Sequence, residues 1–211
     1  MNPNLTEIAI VLDRSGSMEF IRTATINGVN EFLKTQRQLP GEVVASIHLF
    51  DDQHEWPARR MPLKSVMDLT RDTFVPRGMT ALYDAICQTI DYIGGQLAIT
   101  TESARPSKVI VVIVTDGMEN ASKHHTQGDV ASRIRVQRET YNWEFVFLGS
   151  NQDAILSAKN LGISQNSAMT YRNENVDVAF ASAAAYTTRA RAGQATAFTQ
   201  EERDASIGVG Q

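Results

Sequence analysis

The chain has 211 residues, enough for one sizeable α/β domain with a hydrophobic core of its own. Its net charge is only −4, from 24 acidic and 20 basic residues, and this balance does not favour nucleic acid or an anionic membrane as a partner. The single cysteine, Cys87, excludes an internal disulfide, so nothing indicates an oxidising compartment. No secretion signal is evident and the apolar run at 109–114 is too short to span a membrane, so we expect a cytoplasmic protein.

The first part of the chain alternates predicted strands and helices. A nearly continuous β-branched run at 7–12 predicts a strand covered on both faces, and the apolar stripe over 18–37 predicts a helix. The segment 42–52 predicts a second strand. We expect 54–60 to be its hairpin partner at the edge of the sheet, because Pro57 cannot donate a hydrogen bond to a strand ladder.

The same alternation continues to about residue 191. Residues 75–85 are predicted to pass from a loop into a helix that ends near Gly94-Gly95 or slightly later. The run 108–115 predicts the most strongly buried strand of the chain. Further helices are predicted at 127–141, 151–161 and 174–191, and further strands at 143–149 and 167–171.

This order of elements predicts an α/β fold. Strands that alternate with helices form βαβ units with right-handed crossovers, which gives a doubly wound, mostly parallel sheet with helices on both faces and one antiparallel edge strand. No repeat or linker divides the chain. We therefore predict one domain over 1–192 and a polar C-terminal tail over 193–211, which is either mobile or an arm that packs on a partner.

Two carboxylates are predicted to lie at one edge of this sheet. Asp13 and Asp116 each follow a predicted central strand, and ligands bind at the carboxyl ends of the strands in such folds. Two buried carboxylates would repel each other and raise each other's pKa unless a cation lies between them. The hydroxyls of Ser15, Ser17 and Thr80 are expected at the same edge, and oxygen ligands of this kind suit Mg²⁺, Mn²⁺ or Ca²⁺. Taken alone, Ser17 and Thr80 have an alternative role as helix N-caps.

Three motifs together resemble those of von Willebrand factor A-type (vWA) domains. The sequence DRSGSM at 13–18 resembles the family's Asp-x-Ser-x-Ser motif, GMTALYDAI at 78–86 resembles its threonine loop, and VTDGMENAS at 114–122 resembles its aspartate loop. The order and spacing of the motifs fit the family over roughly residues 6–172. TALYDAI and TDGMENA are most similar to intracellular bacterial and phage members.

The resemblance implies a Rossmann-like vWA fold with a metal-ion-dependent adhesion site (MIDAS). It implies that Ser15 and Ser17 bind a cation directly, that Thr80 binds it in an open state, and that Asp13 and Asp116 bind directly or through water. Mg²⁺ is the expected cation, with Mn²⁺ or Ca²⁺ as alternatives. The last coordination position would be taken by water or by an aspartate or glutamate of a partner.

The function expected from these observations is metal-dependent protein binding, without enzymatic activity. The protein would be an accessory or adaptor subunit of a bacterial or phage intracellular complex. One alternative is a Mg²⁺-dependent phosphohydrolase that uses Asp13, although such enzymes need a second acid where this chain has Ser15, and no glycine-rich phosphate loop is present. Another is a self-associating structural subunit with the C-terminal tail as its arm.

Other polar residues near the motifs have simpler interpretations. Asp84 is expected to complement the positive end of its helix. Glu119 and Asn120 are interpreted as solvated loop residues, and Asp51 as the cap of a turn.

Overall fold

The protein is built around a six-stranded sheet in which β1 lies near the centre. The computed structural model describes residues 1–150, 154–194 and 196–209. The strands follow the spatial order β3-β2-β1-β4-β5-β6, and β3 pairs antiparallel with β2 while the other pairs are parallel. Their bounds are β1 Asn2–Asp13, β2 Glu42–Phe50, β3 His54–Pro62, β4 Pro106–Thr115, β5 Glu144–Gly149 and β6 Ala168–Thr170. The predicted mostly parallel sheet with one antiparallel edge strand is confirmed.

Helices cover both faces of the sheet, as predicted. Their bounds are α1 Arg22–Gln38, α2 Leu82–Ile99, α3 Gln127–Tyr141, α4 Ala154–Asn160, α5 Val176–Arg191 and α6 Gln200–Ser206. Because side chains alternate along a strand, Ile8 and Ile10 of β1 join the core beneath α1 and α5, whereas Ala9 and Val11 join the core beneath α2, α3 and α4. None of the described helices is long and apolar enough to cross a membrane.

The boundaries of several predicted helices differ from the structure by a few residues. The helix predicted at 18–37 begins as a 3₁₀-helix over Gly16–Ile21 before α1 starts at Arg22. Helix α2 continues past Gly94-Gly95 to Ile99. Of the helix predicted at 151–161, residues 151–153 lie outside the described residues, and the described part forms α4.

The segment predicted as a polar tail contains a helix, α6. Thr199 and Glu202 form a capping box at its start, and Glu202 pairs with Arg189 of α5 at 2.9 Å. Phe198 is buried, with its ring centre 5.2 Å from that of Tyr186. The described residues after 195 therefore pack against α5, while the division of the chain at residue 193 stays a prediction.

Candidate metal centre

The candidate site lies where the connections of the sheet change direction. Strands β1 and β4 are parallel neighbours with Leu12 opposite Val114, so their carboxyl ends lie side by side. The connection after β1 places α1 on one face of the sheet, and the connection after β4 places α3 on the other. Asp13 ends β1, and Asp116 follows β4 directly. Such a switch point is where doubly wound sheets bind their ligands.

The loop after β1 brings one carboxylate and two hydroxyls together. Asp13 is fully buried, and its Oδ1 accepts a hydrogen bond of 2.7 Å from the backbone N–H of Ser15. Its Oδ2 accepts one of 2.6 Å from the hydroxyl of Thr115. The Oγ atoms of Ser15 and Ser17 are 3.2 Å apart, and Ser17 donates to Oδ1 of Asp116 at 2.7 Å. A chain of hydrogen bonds through Ser15 and Ser17 thus connects the carboxylate of Asp13 with that of Asp116.

Hydrogen bonds hold the loop before α2 against the loop after β1 and the loop after β4. The N–H of Gly16 donates to the carbonyl oxygen of Gly78 at 3.2 Å. The N–H of Thr80 donates to Oδ1 of Asn120 at 2.8 Å, and the N–H of Asn120 donates to the carbonyl oxygen of Thr80 at 3.0 Å. Thr80, which is buried, therefore lies at the same edge as the other predicted site residues.

Gly117 marks the point around which these oxygens converge. A Cβ atom added to Gly117 would lie 3.2 Å from Oγ1 of Thr80, 3.8 Å from Oγ of Ser17 and 4.0 Å from Oδ2 of Asp13. Three loops thus direct oxygen atoms towards one small volume that even a methyl group would crowd. The structure brings all five predicted residues to one edge of the sheet.

Burial dominates the electrostatics of the two carboxylates. Burial raises the pKa of Asp13 to about 6, hydrogen bonds from Thr115 and Ser15 act in the opposite direction, and the charge of Asp116 adds a smaller increase. Burial also raises the pKa of Asp116, while the hydrogen bond from Ser17 lowers it. Both shifts have the direction expected from the sequence, but loss of hydration rather than mutual repulsion is the main cause.

The donor set suits a hard divalent cation. It consists of two carboxylates and three hydroxyls, which are oxygen ligands that Mg²⁺, Mn²⁺ and Ca²⁺ prefer. Within the described ranges, no group of three or more histidine, cysteine, aspartate or glutamate side chains could hold a metal ion. A site at this edge would therefore depend on its hydroxyls.

The alternative role of Ser17 and Thr80 as helix caps is wrong. The N-cap of α2 is Ala81, and Glu119 and Ser122 bind the free N–H groups of the first turn: Oε2 of Glu119 accepts from Tyr83 at 2.9 Å and Oγ of Ser122 accepts from Asp84 at 3.0 Å. The 3₁₀-helix that contains Ser17 has Ser15 as its N-cap, with no side-chain capping bond. Ser17 instead bonds to Asp116.

The loop after β4 is fastened to α2 by residues whose role the sequence did not reveal. Glu119, predicted to be solvated, is half-buried and accepts hydrogen bonds inside the protein. Asn120 is exposed, as predicted, but its Oδ1 also accepts from the N–H of Thr80. Asp84 accepts from the N–H of Lys123 at 2.8 Å and from Nδ1 of His125 at 2.9 Å. Burial alone would raise the pKa of Asp84, but these hydrogen bonds lower it below its usual value. Asp84 thus positions the loop in addition to facing the helix terminus.

A buried ion-pair network holds the first loop from the other side. Arg14, only 2% exposed, lies 3.2 Å from Asp51 and 2.6 Å from Glu55. Asp51 also pairs with Arg77 at 2.8 Å, and its Oδ1 accepts from the N–H of Gln53, so its predicted role as a turn cap is confirmed. No local sequence pattern indicates that Arg14 is buried, because its partners lie about 40 residues further along the chain.

Comparison with solved structures shows that the fold is of the vWA type. A von Willebrand factor type A protein from Catenulispora acidiphila has a TM-score of 0.57, 14% sequence identity, and coverage of 88% of this chain and 43% of its own. Proximal thread matrix protein 1 from the mussel byssus, solved with a zinc-occupied MIDAS motif, has a TM-score of 0.59 and 14% identity over 85% of this chain and 47% of its own. The pilus adhesin SpaC from Lactobacillus rhamnosus GG, in an open conformation, has a TM-score of 0.64 and 14% identity over 88% of this chain and 30% of its own.

These similarities concern the fold. The chain spans less than half the length of each of these three solved chains. No protein-family model matches the sequence, and a search of curated proteins finds no match. The three neighbours are thus similar to this chain in fold, and its activity is argued from its own residues.

Proposed function

We propose that this protein is a metal-dependent protein-interaction module. In this proposal Asp13, Ser15, Ser17, Thr80 and Asp116 hold a divalent cation, with Mg²⁺ expected, and an aspartate or glutamate of a partner completes its coordination. The observation that carries the proposal is the convergence of oxygens from three loops around Gly117. The cation would supply positive charge and an open coordination position.

The donor set explains why such a site would need a partner. Asp13 and Asp116 provide the negative charge, whereas Ser15, Ser17 and Thr80 provide oxygen atoms without charge. Because a divalent cation with few anionic ligands attracts a further acidic oxygen, an incomplete site favours a carboxylate from another molecule. The protein's own contribution is to hold Asp13 in place through the N–H of Ser15 and the hydroxyl of Thr115.

The neighbours are consistent with this role and do not define it. They include a matrix protein with a zinc-occupied MIDAS motif and a pilus adhesin. For this chain we propose an accessory or adaptor role in a bacterial or phage complex inside the cell, because the motifs resemble intracellular members of the family.

The proposal is tested first by cation binding. After treatment with chelator, isothermal titration calorimetry with MgCl₂ or MnCl₂ should show one site. Gly117→Ala should weaken the affinity at least about tenfold, because its methyl group would contact Oγ1 of Thr80. Gly95→Ala is the matched control, since nothing lies within 4 Å of the added methyl group, and its cation affinity should equal that of the wild type.

Partner binding is tested separately. Recovery of a partner from native lysate on the immobilised protein should require Mg²⁺, and it should be lost both with chelator and with Asp13→Asn. Absence of cation binding in the wild type, or tight partner binding by Asp13→Asn in chelator, would contradict the proposal.

A further inference from the structure

We propose that the partner's acidic residue lies between large apolar side chains, and that Phe20, Met79 and Met118 form the surface that binds those side chains. We call these three residues the apolar rim. This inference rests on the proposed function, because the acidic residue is taken to bind the cation of the candidate metal centre. It adds the chemical character of the partner segment.

Each residue of the apolar rim lies close in sequence to a residue of the candidate metal centre. Met79 precedes Thr80, and Met118 follows Gly117. Phe20 lies three residues after Ser17 within one 3₁₀-helix. Because a 3₁₀-helix has three residues per turn, Phe20 lies on the same side of that helix as Ser17. The three side chains therefore come from the three loops that meet at the centre.

The apolar rim is strongly exposed. Phe20 is 92% exposed, Met118 71% and Met79 53%. Single exposed apolar residues are ordinary on protein surfaces, and Met67 and Ile99 are such cases away from these loops. The apolar rim differs from such isolated cases because its residues come from three loops that meet at the candidate metal centre, and we infer an interaction surface from that placement.

The residue types also suit a protein partner. Phenylalanine and methionine are enriched in the buried cores of protein interfaces, and flexible methionine side chains adapt to partners of different shape. Binding would remove from water three side chains that are each more than half exposed in the free protein.

The acidic side chains beside the apolar rim already have partners within the protein. Glu119, next to Met118, uses both carboxylate oxygens inside the protein: Oε1 accepts from the N–H of Ser122 at 2.7 Å, and Oε2 accepts from Tyr83 at 2.9 Å. Glu19, next to Phe20, lies 3.5 Å from Arg22. The cation would thus attract one carboxylate of the partner, and the apolar rim would contact the partner's apolar side chains on either side of that carboxylate.

The experiment uses a phage-displayed library of short peptides, each with one fixed glutamate, bound to the full chain in Mg²⁺ and eluted with chelator. Eluted peptides should be enriched in Leu, Ile, Met, Phe or Trp next to the glutamate. In fluorescence polarisation, the combined substitution Phe20→Ser, Met79→Ser and Met118→Ser should weaken a selected peptide at least about tenfold. The control substitutions Met67→Ser and Ile99→Ser should leave its affinity unchanged.

Calorimetric titration with Mg²⁺ separates the two proposals. The triple variant should keep the wild-type affinity for Mg²⁺, which also shows that it is folded. If the wild type binds Mg²⁺ but selects peptides without an apolar preference, or selects none, the inference about the apolar rim is overturned while the metal centre stands. Mg²⁺-dependent dimerisation in light scattering that the triple variant abolishes would also overturn it, since the rim would then bind a second copy. If the wild type does not bind Mg²⁺, the proposed function itself fails.

Discussion

Asp13 is expected to destabilise the protein when no cation is bound, so Asp13→Asn should stabilise the cation-free form. Burial raises the pKa of Asp13 from 3.8 to about 6. At 1.36 kcal/mol per pKa unit, ionising this carboxylate in the folded state costs up to about 3 kcal/mol relative to the unfolded chain. Asparagine carries no charge and has nearly the same shape, so it removes this cost.

The pH dependence has a definite sign. Between about pH 4 and pH 6 the folded protein keeps a proton on Asp13 that the unfolded chain has already released, so the free energy of unfolding falls as pH rises through this window. The advantage of Asp13→Asn over the wild type should therefore be small at about pH 4, grow towards pH 6, and stay constant above about pH 7.

The surrounding hydrogen bonds can accommodate asparagine. Its Oδ1 can accept from the N–H of Ser15 as the carboxylate does. Its Nδ2 can donate to the hydroxyl of Thr115, because that hydroxyl lies 3.1 Å from the carbonyl oxygen of Gly117 and can donate there instead. The substitution therefore leaves no buried polar atom of this group without a partner.

The assay is denaturant unfolding at about pH 7.5, with chelator and with Mg²⁺. In chelator Asp13→Asn should be more stable than the wild type by up to about 3 kcal/mol, or about 6–12 °C in Tm for a chain of this size. In Mg²⁺ the wild type should gain stability by mass action and the variant should not. Asp72→Asn, at an exposed position away from the centre, is the control and should change neither value. If Asp13→Asn is less stable than the wild type in chelator, the hydrogen bonds of the carboxylate outweigh its burial and the reasoning is wrong.

Two further predictions concern the core. Gly28→Ala should destabilise the protein by about 1–3 kcal/mol in denaturant unfolding, because a Cβ atom there would clash with the ring of Phe180 on α5. Gly95→Ala, in an open stretch of α2, should instead stabilise it by about 0.5–1 kcal/mol. Equal effects of the two substitutions would contradict the packing of α1 against α5. Burial, and to a smaller extent nearby positive charges, lower the pKa of the buried His48 well below its usual value. The folded protein therefore keeps His48 neutral, whereas the unfolded chain takes up a proton as pH falls below about 6.5, and stability is lost in that range. His48→Gln should reduce the slope of stability between about pH 7 and pH 5 by up to about 1.4 kcal/mol per pH unit, and an unchanged slope would show that other groups cause the acid sensitivity.

The architecture could be predicted because its determinants are local in sequence. The run at 8–12 is apolar at successive positions, as a strand buried on both faces requires, and the structure places its alternate residues in two separate cores. Asp13 and Asp116 each end such a run, so parallel pairing of β1 and β4 was enough to bring them to one edge. That Asp13 and Asp116 meet at one edge of the sheet followed from the strand topology and did not require knowledge of the loop conformations.

Features that depend on loop conformation were not predictable in the same way. The partners of Arg14 are brought near by the hairpin of β2 and β3, and nothing in DRSGS indicates a buried guanidinium. Helix α6 is a different case, because the Thr199-x-x-Glu202 capping signal is present in the sequence and precedes a helix of only seven residues without an apolar stripe.

The hydrogen bonds at the start of α2 explain how Thr80 can serve the centre instead of its own helix. A threonine before a helix ordinarily bonds to a free N–H of the first turn. Here Glu119 and Ser122 from the loop after β4 take the N–H groups of Tyr83 and Asp84, and no hydrogen bond of the Thr80 hydroxyl is found among the described residues. Because one set of contacts both caps α2 and fixes the loop that carries Asp116, the positions of Thr80 and Asp116 depend on each other. A partner that moved the loop after β4 would therefore also move the start of α2.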